Sequence, residues 1–410
     1  MDNENIFKQL SIGSMCVLGY IQKHGVVTKR ELCSFLNKRI TTIDRFMEPL
    51  EKNGLIEECG IGMSTGGRKP LLYSVSSKKY YVGAINISST YCEVGVINLK
   101  IELLIAQKFQ IDADCSPESV IAQAVDIFQQ QLLDLQINRK CVYGVGVSLF
   151  SSYDKENDRV YRPAILYLNE QWVDFPLIQS LEDKLKLPIV IEKGTNAAAM
   201  LEYFYGKGKG CSRMLYILCA MNIRSAVVSS GQLLSIAPKY EDAFGHMIIN
   251  FDDKECRCGN YGCVDCYTTI PAIMDKTALE IKKGRSTSLN KIVSEITFKD
   301  ICHAAEMGDN LSRDVITSAA SILGTALANY ISLFCPDVVI LSGLLVRESQ
   351  IYFDVAVEVA KRKSTFLSDS NEVRFEKNGI FSNPITVGAG SIMIETLLTR
   401  GSTFFYNAQK

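Results

Sequence analysis

The sequence predicts an α/β protein: a winged helix-turn-helix over residues 1–78, followed by a much larger α/β domain over residues 79–410. Three observations carry this prediction. Three short amphipathic segments and two short apolar strands occupy residues 7–75, in the order of a winged helix. From residue 80 onward, apolar strands alternate with segments of helical period, the pattern of a sheet covered by helices. One Cys-rich stretch breaks that alternation, with His246 placed ten residues ahead of Cys256 and followed by Cys258 and Cys263.

Composition narrows the function classes. The chain has 410 residues, 47% hydrophobic and 22% charged, an ordinary globular balance that suggests two or three domains. A formal net charge of −1 excludes a chain that is basic throughout, so any nucleic-acid contact must be local. No apolar run reaches 18 residues and no charged-then-apolar leader opens the chain, which predicts no membrane span and a cytoplasmic location. In that reducing compartment the 14 Cys are expected to be free or metal-bound.

Phe7, Leu10, Met15, Leu18 and Ile21 recur at helical spacing, which predicts one helix over 7–23, ended by His24 and Gly25. Thr28 with Glu31 three residues on forms a capping box that opens a second helix through Leu36. After a turn at 37–39, Thr41 or Thr42 is placed to cap a third helix over 43–53, with Ile43, Phe46, Met47 and Leu50 inward and Gly54 just past its end. Strands at 55–58 and 71–75 flank a Gly-rich loop at 64–70, the expected wing. In such a unit the third helix enters the major groove and flanking basic side chains meet phosphates. The DNA-facing candidates are Thr28, Lys38, Arg39, Thr41, Thr42 and Arg45, with Arg68 and Lys69 on the wing. Pro49 opposes this, since a proline deep in a helix costs about 3 kcal/mol and usually kinks it. It keeps open a module that contacts only protein.

In the larger domain, apolar runs from 81 to 97 and a further strand read as a β-meander. A helix over 116–136 starts with Pro117 in its first turn, and a buried strand follows at 142–149. The pattern restarts with a strand at 189–191, a helix at 195–205 and strands at 214–218 and 226–229. An apolar helix over 314–334, a strand ending at Gly343 and a last helix beginning near Val387 complete the chain.

Cys256, Cys258 and Cys263, with turn glycines between them, bring three thiolates within reach of one tetrahedral ion. His246 supplies a fourth ligand, with Cys266 as a competitor, and the apolar residues 247–249 are read as a strand that positions the His. The closed ligand set predicts structural zinc.

Gly245 and His246, then Cys256, Cys258, Gly259, Gly262, Cys263 and Asp265, resemble the signature of the ROK family, which groups sugar kinases with transcriptional repressors. The wing residues 64–70 resemble those of its repressors. The resemblance implies a duplicated actin-like ATPase fold, shared with sugar kinases and Hsp70 chaperones, and structural zinc on His246, Cys256, Cys258 and Cys263.

It also identifies what has changed. Where the family's phosphate turn carries an Asp and two glycines, this chain has Asn86, Ser88 and Ser89, so side chains crowd the approach to phosphate and one charge on the metal is lost. Lys193 and Gly194 stand where the family has its sugar-binding Asn and its catalytic Asp, and no base remains there; Glu192 is a poor substitute. Ala243 replaces a sugar-binding Glu, and the glycine-rich hairpin is lost at 220–225. The resemblance therefore implies no catalytic residues and an effector pocket of Lys193, Arg224, His246 and Asp265, whose cations favour an anionic ligand such as a sugar phosphate.

The expectation is a DNA-binding repressor of carbohydrate-metabolism genes. Its partners would be operator DNA and a sugar or sugar-phosphate effector, its assembly a homodimer or dimer of dimers, without membrane contact. Two alternatives stand: an active sugar kinase with a fused DNA-binding domain, and an interaction module that no longer binds DNA.

Overall fold

The computed structural model describes residues 6–63, 69–161, 170–234, 244–364 and 373–399. The chain divides into two compact units. The first gathers the stretch up to Arg162 with Tyr167–Ala197 and the segment from Asn383, and the second is built from Ala198–Ser382.

The first unit opens with the winged helix. Helices α1 (Ile6–Gln9) and α2 (Ile12–His24) precede β1 (Val27–Thr28), α3 (Lys29–Leu36), α4 (Ile40–Lys52), β2 (Ile56–Ile61) and β3 (Leu71–Val75). The three strands form one sheet in the order β1-β3-β2. Leu18, Ile21, Leu32, Ile43, Met47, Leu50 and Tyr73 are buried and form its core, and Phe46 is half-buried over Gly13.

Two expectations are corrected here. The single helix over 7–23 is two helices, because the Ser11 hydroxyl accepts the Ser14 N–H and restarts the chain as an N-cap. The third helix starts at Ile40, with Arg39 as an N-cap that makes no side-chain bond, so Thr41 and Thr42 lie inside its first turn. The turn lies at 37–39 as expected, opened by Asn37 in the left-handed conformation that closes α3, and the helix begins directly after it. Pro49 therefore sits in the third turn, and α4 runs on three residues past it; the Asn53 side chain donates to Pro49 O at 2.7 Å.

The winged helix is seated on the rest of the first unit. Phe7 packs edge-on against Tyr80 and Tyr143, with centroids at 5.9 and 5.2 Å. Gln22 donates to Leu99 O at 3.3 Å, and Tyr80 OH donates to Asn53 O at 2.7 Å.

The remainder of this unit comprises β4 (Tyr81–Ile87), β5 (Tyr91–Asn98), β6 (Leu103–Gln110), α5 (Pro117–Asp134), β7 (Val142–Leu149), β8 (Tyr153–Asp154), β9 (Arg159–Val160), α6 (Leu177–Leu185) and β10 (Ile189–Lys193). Its sheet runs β10-β7-β4-β5-β6: β4, β5 and β6 pair antiparallel, and β7 and β10 add in parallel on the other side of β4. Alternation along the strands sends Ile85, Val145 and Val147 into a core with α5 and α6, while Ala84, Gly144 and Gly146 face the C-terminal helix.

Helix α7 (Gly194–Tyr205) carries the chain onward. The second unit contains β11 (Arg213–Cys219), β12 (Ile223–Ser229), β13 (Gln232–Leu233), α8 (Asp265–Thr268), α9 (Ile270–Lys282), α10 (Phe298–Glu306), α11 (Asn310–Phe334), β14 (Val338–Ser342), α12 (Leu344–Glu348), α13 (Gln350–Lys363) and β15 (Arg374–Lys377). The last helix, α14 (Pro384–Thr399), belongs to the first unit.

The second sheet repeats the first: β11, β12 and β13 pair antiparallel, and β14 and β15 add in parallel beyond β11. The same strand pattern in both units is the duplication expected of an actin-like fold. Helix α11 is long and apolar enough to cross a membrane, yet its apolar face is the core of this unit, with Leu323, Leu327 and Ile331 fully buried.

Candidate functional site

A cluster of potential metal ligands forms in the loop between Phe244 and α8. His246, Cys256, Cys258 and Cys263 bring four ligand atoms within 4.8 Å of one another. Cys256 Sγ lies 3.7 Å from His246 Nδ1, and Cys258 Sγ lies 3.7 Å from Cys263 Sγ. A tetrahedral ion with bonds of about 2.0 to 2.3 Å spaces its ligands by about 3.6 to 3.8 Å. These side chains therefore fit a closed four-coordinate metal site.

Little regular structure holds this loop. Residues 247–249 form no strand; only the isolated bridges Ile248 with Cys263 and Glu255 with Tyr261 are present among the described residues, and Ile248 is half exposed. A strand needs a continuous partner, and the turns at Gly259 and Gly262, both at positive φ, draw the chain back too soon to give one. The competitor Cys266 lies in α8, outside the four-residue cluster, with its thiol 3.7 Å from Glu255 O and beside Cys256. Burial pushes that thiol up to about 12 and raises Cys263 as well. At Cys258 burial is outweighed by the Asn260 N–H and the neighbouring thiols, which bring it below its ordinary value.

The reading end of α4 is open. Lys38, Arg39, Thr41 and Arg45 are exposed and Thr42 is half-buried. Thr28 is engaged locally: its hydroxyl and N–H both donate to Glu31 Oε2, and its Oγ1 accepts the Glu31 N–H. On the wing, Lys69 is exposed, while Arg68 lies outside the described residues.

The phosphate turn is filled by its own side chains. The Ser88 hydroxyl accepts the N–H groups of Thr90 and Tyr91 at 3.2 and 3.1 Å, so these two donors are satisfied within the turn. Buried Asn86 accepts from Ser148 Oγ at 2.9 Å and donates to Tyr91 OH at 3.3 Å. Sequence reading identified the substitutions but not this internal pairing, since Ser148 lies 62 residues away.

Gly194, at the position expected for the family's catalytic Asp, starts α7, and a Cβ there would meet Ile385 Cγ2 at 3.0 Å. Glu192 is held by Lys155 at 3.2 Å and by the Asn196 side chain at 2.9 Å. Of the four effector candidates, Lys193 ends β10 in the first unit; Arg224, His246 and Asp265 belong to the second. Asp265 is tied into that unit, accepting the Ile223 N–H at 2.9 Å and donating its own N–H to Gly245 O at 2.9 Å. Ala243 lies outside the described residues.

The profile of the ROK family matches residues 82–395. The xylose repressor of Caldicellulosiruptor bescii is 24% identical over 402 residues, covering 97% of this chain and 99% of that protein. The N-acetylglucosamine repressor of Escherichia coli O157:H7 is 22% identical over 356 residues, covering 85% and 84%. Among solved structures, a ROK family transcriptional regulator described as a homologue of the E. coli MLC protein superposes over the whole of both chains, with a TM-score of 0.78 and 21% identity. A ROK family glucokinase from Streptomyces griseus, in complex with glucose and AMPPNP, matches 76% of this chain and 98% of its own length, with a TM-score of 0.62 and 22% identity.

Proposed function

Because this chain belongs to the ROK family and carries a winged helix ahead of the matched region, we propose that it is a DNA-binding transcriptional repressor of sugar-metabolism genes. The observation that carries this reading is the reading end of α4, where Lys38, Arg39, Thr41 and Arg45 stand exposed together. Pro49 lies in the third turn, beyond those residues, and leaves that end intact. The full-length match to relatives named as repressors supports the same reading.

The kinase-like part acts as a sensor and not as an enzyme. Its phosphate turn has its N–H donors capped by Ser88, and the base position is Gly194, which cannot accept a proton from a sugar hydroxyl. The effector is a sugar or sugar phosphate, met within the second unit by Arg224, His246 and Asp265. Zinc on His246, Cys256, Cys258 and Cys263 is structural: with four protein ligands no position is left for substrate, and the ion would fasten a loop that has only isolated bridges of its own. The repressor works in the cytoplasm as a symmetric dimer or dimer of dimers, since one winged helix offers few base contacts and non-specific binding is weak, with Kd about 10⁻⁴ to 10⁻⁶ M.

The test is selection of bound duplexes from random DNA with the purified chain. An enriched inverted repeat with half-sites about 10 base pairs apart, or a multiple of that, is expected. Recovery of no repeat would sink the repressor reading. A coupled assay of ADP release over a panel of hexoses should show no turnover; a rate near the ordinary ~10 per second would overturn the non-catalytic assignment.

A further inference from the structure

Between the helices of the winged unit lies a polar contact that involves none of the DNA-facing residues named above. Lys29 is the first residue of α3, and its Nζ lies 2.6 Å from Asp44 Oδ1 on α4. The same ammonium stands 5.3 Å from the centre of the Tyr73 ring on β3, and Tyr73 OH donates to Glu58 on β2 at 3.3 Å. Four side chains thus run in sequence from the reading helix, through α3, to both strands of the wing.

Asp44 is the acid in this arrangement. It follows Thr41 by three residues and precedes Arg45, so it shares the N-terminal half of α4 with side chains suited to phosphates and base edges. Its side chain is 48% exposed. A bare carboxylate there would repel the phosphate backbone, and Lys29 is the cation set against it. Tyr73 is buried, so the stem of Lys29 is backed by the core of the unit, and its own side chain is only 30% exposed.

We propose that Lys29 is a positioning residue for DNA recognition, which neutralises Asp44 on the reading helix and braces that helix against the wing without touching DNA itself. The inference rests on the repressor reading. It distinguishes Lys29 from a lysine that binds phosphate directly, because the two roles differ in what relieves the loss.

The experiment measures anisotropy of the purified full chain on a labelled duplex carrying the inverted repeat recovered by selection, across a range of salt. Lys29→Met should weaken binding about threefold per half-site, and about tenfold on two, as expected for an unpaired charge some 6 Å from a phosphate in water. Lys29→Arg, which keeps the charge, should bind like the native chain. Asp44→Asn should bind at least as tightly as native, and adding it to Lys29→Met should restore binding to within about twofold of Asp44→Asn alone. The fold should persist in all four variants, since an exposed ion pair contributes little to stability.

A double variant as weak as Lys29→Met, with the salt slope flattened by about 0.9 per half-site, would make Lys29 a phosphate ligand and overturn the proposal. Native affinity in Lys29→Met would overturn it too. If the native chain binds no DNA sequence at all, it is the repressor reading that fails, and this inference falls with it.

Discussion

The two turn glycines of the metal loop offer a matched pair of perturbations. Gly259 and Gly262 have φ of +89° and +68°, so alanine at either place bears the left-handed cost of about 1–2 kcal/mol. They differ in their surroundings. Nothing lies within 4 Å of a Cβ on Gly259, whereas a Cβ on Gly262 would sit well inside 3.0 Å of Asn250 O. The loop must then open by roughly 1.5 Å, several times the tolerance of about 0.2 Å for metal-ligand bonds. Opening it breaks the backbone bonds from Ile249 N to Gly262 O at 2.9 Å and from Gly262 N to Lys254 O at 2.7 Å. At about 1 kcal/mol each, these add about 2 kcal/mol to the cost of Gly262→Ala alone. Because Cys263 is the next residue, this penalty falls on the metal site, where 2 kcal/mol is a loss of about thirtyfold in affinity. Competition with a colorimetric zinc chelator measures it, with Gly259→Ala as the control for backbone strain. Equal zinc affinity in the two variants, or weaker binding by Gly259→Ala, would refute the assignment of this loop as a pre-shaped metal cage.

Arg45→Ala, at the exposed reading end of α4, should relax sequence preference at one position by about 1–3 kcal/mol, whereas Lys69→Ala on the wing should weaken all sequences alike; selection on each variant distinguishes the two. Glu202 is fully buried on α7, where burial raises its carboxyl above the ordinary value although it accepts the N–H groups of Lys207 and Ile380 at 3.0 Å each. A carboxyl whose folded value is raised holds its proton longer when folded than unfolded, so its contribution to stability is full below the unfolded value of about 4.3 and falls as pH rises through the folded one. The stability of the native chain minus that of Glu202→Gln, from denaturant midpoints, should therefore decline as pH is raised above about 4.3; a difference that is flat or grows with pH would show the side chain to be ionised at no cost.

What the sequence determined by itself is local in origin. The capping box of Thr28 and Glu31, the wing strands and the alternation of strands and helices all follow from residues within a turn or two of one another, and each is present in the structure. Three members of the candidate metal cluster were legible for the same reason, because Cys256, Cys258 and Cys263 lie within eight residues of one another with turn glycines among them, and His246 was legible as the fourth from its local Gly and the family resemblance. The departures from the family's kinase pattern at Asn86, Ser88, Ser89, Lys193 and Gly194 were legible as substitutions. Local signals also misled: threonines near the start of α4 looked like caps, and the apolar residues 247–249 looked like a strand, because propensity does not reveal whether a turn or a partner strand is present.

Only the tertiary structure decided which side chains meet. It brought His246 within 4.8 Å of the three clustered thiols while Cys266 went to α8, and it paired Asn86 with Ser148 across 62 residues. It joined Glu202 to the N–H of Ile380 across 178 residues and set Lys29 against Asp44 across 15. Periodicity and capping are written into neighbouring residues and their energies are nearly independent of the rest of the chain. A pairing between distant side chains exists only once two elements have been packed in one register, and nothing in either segment alone records which partner the packing will bring.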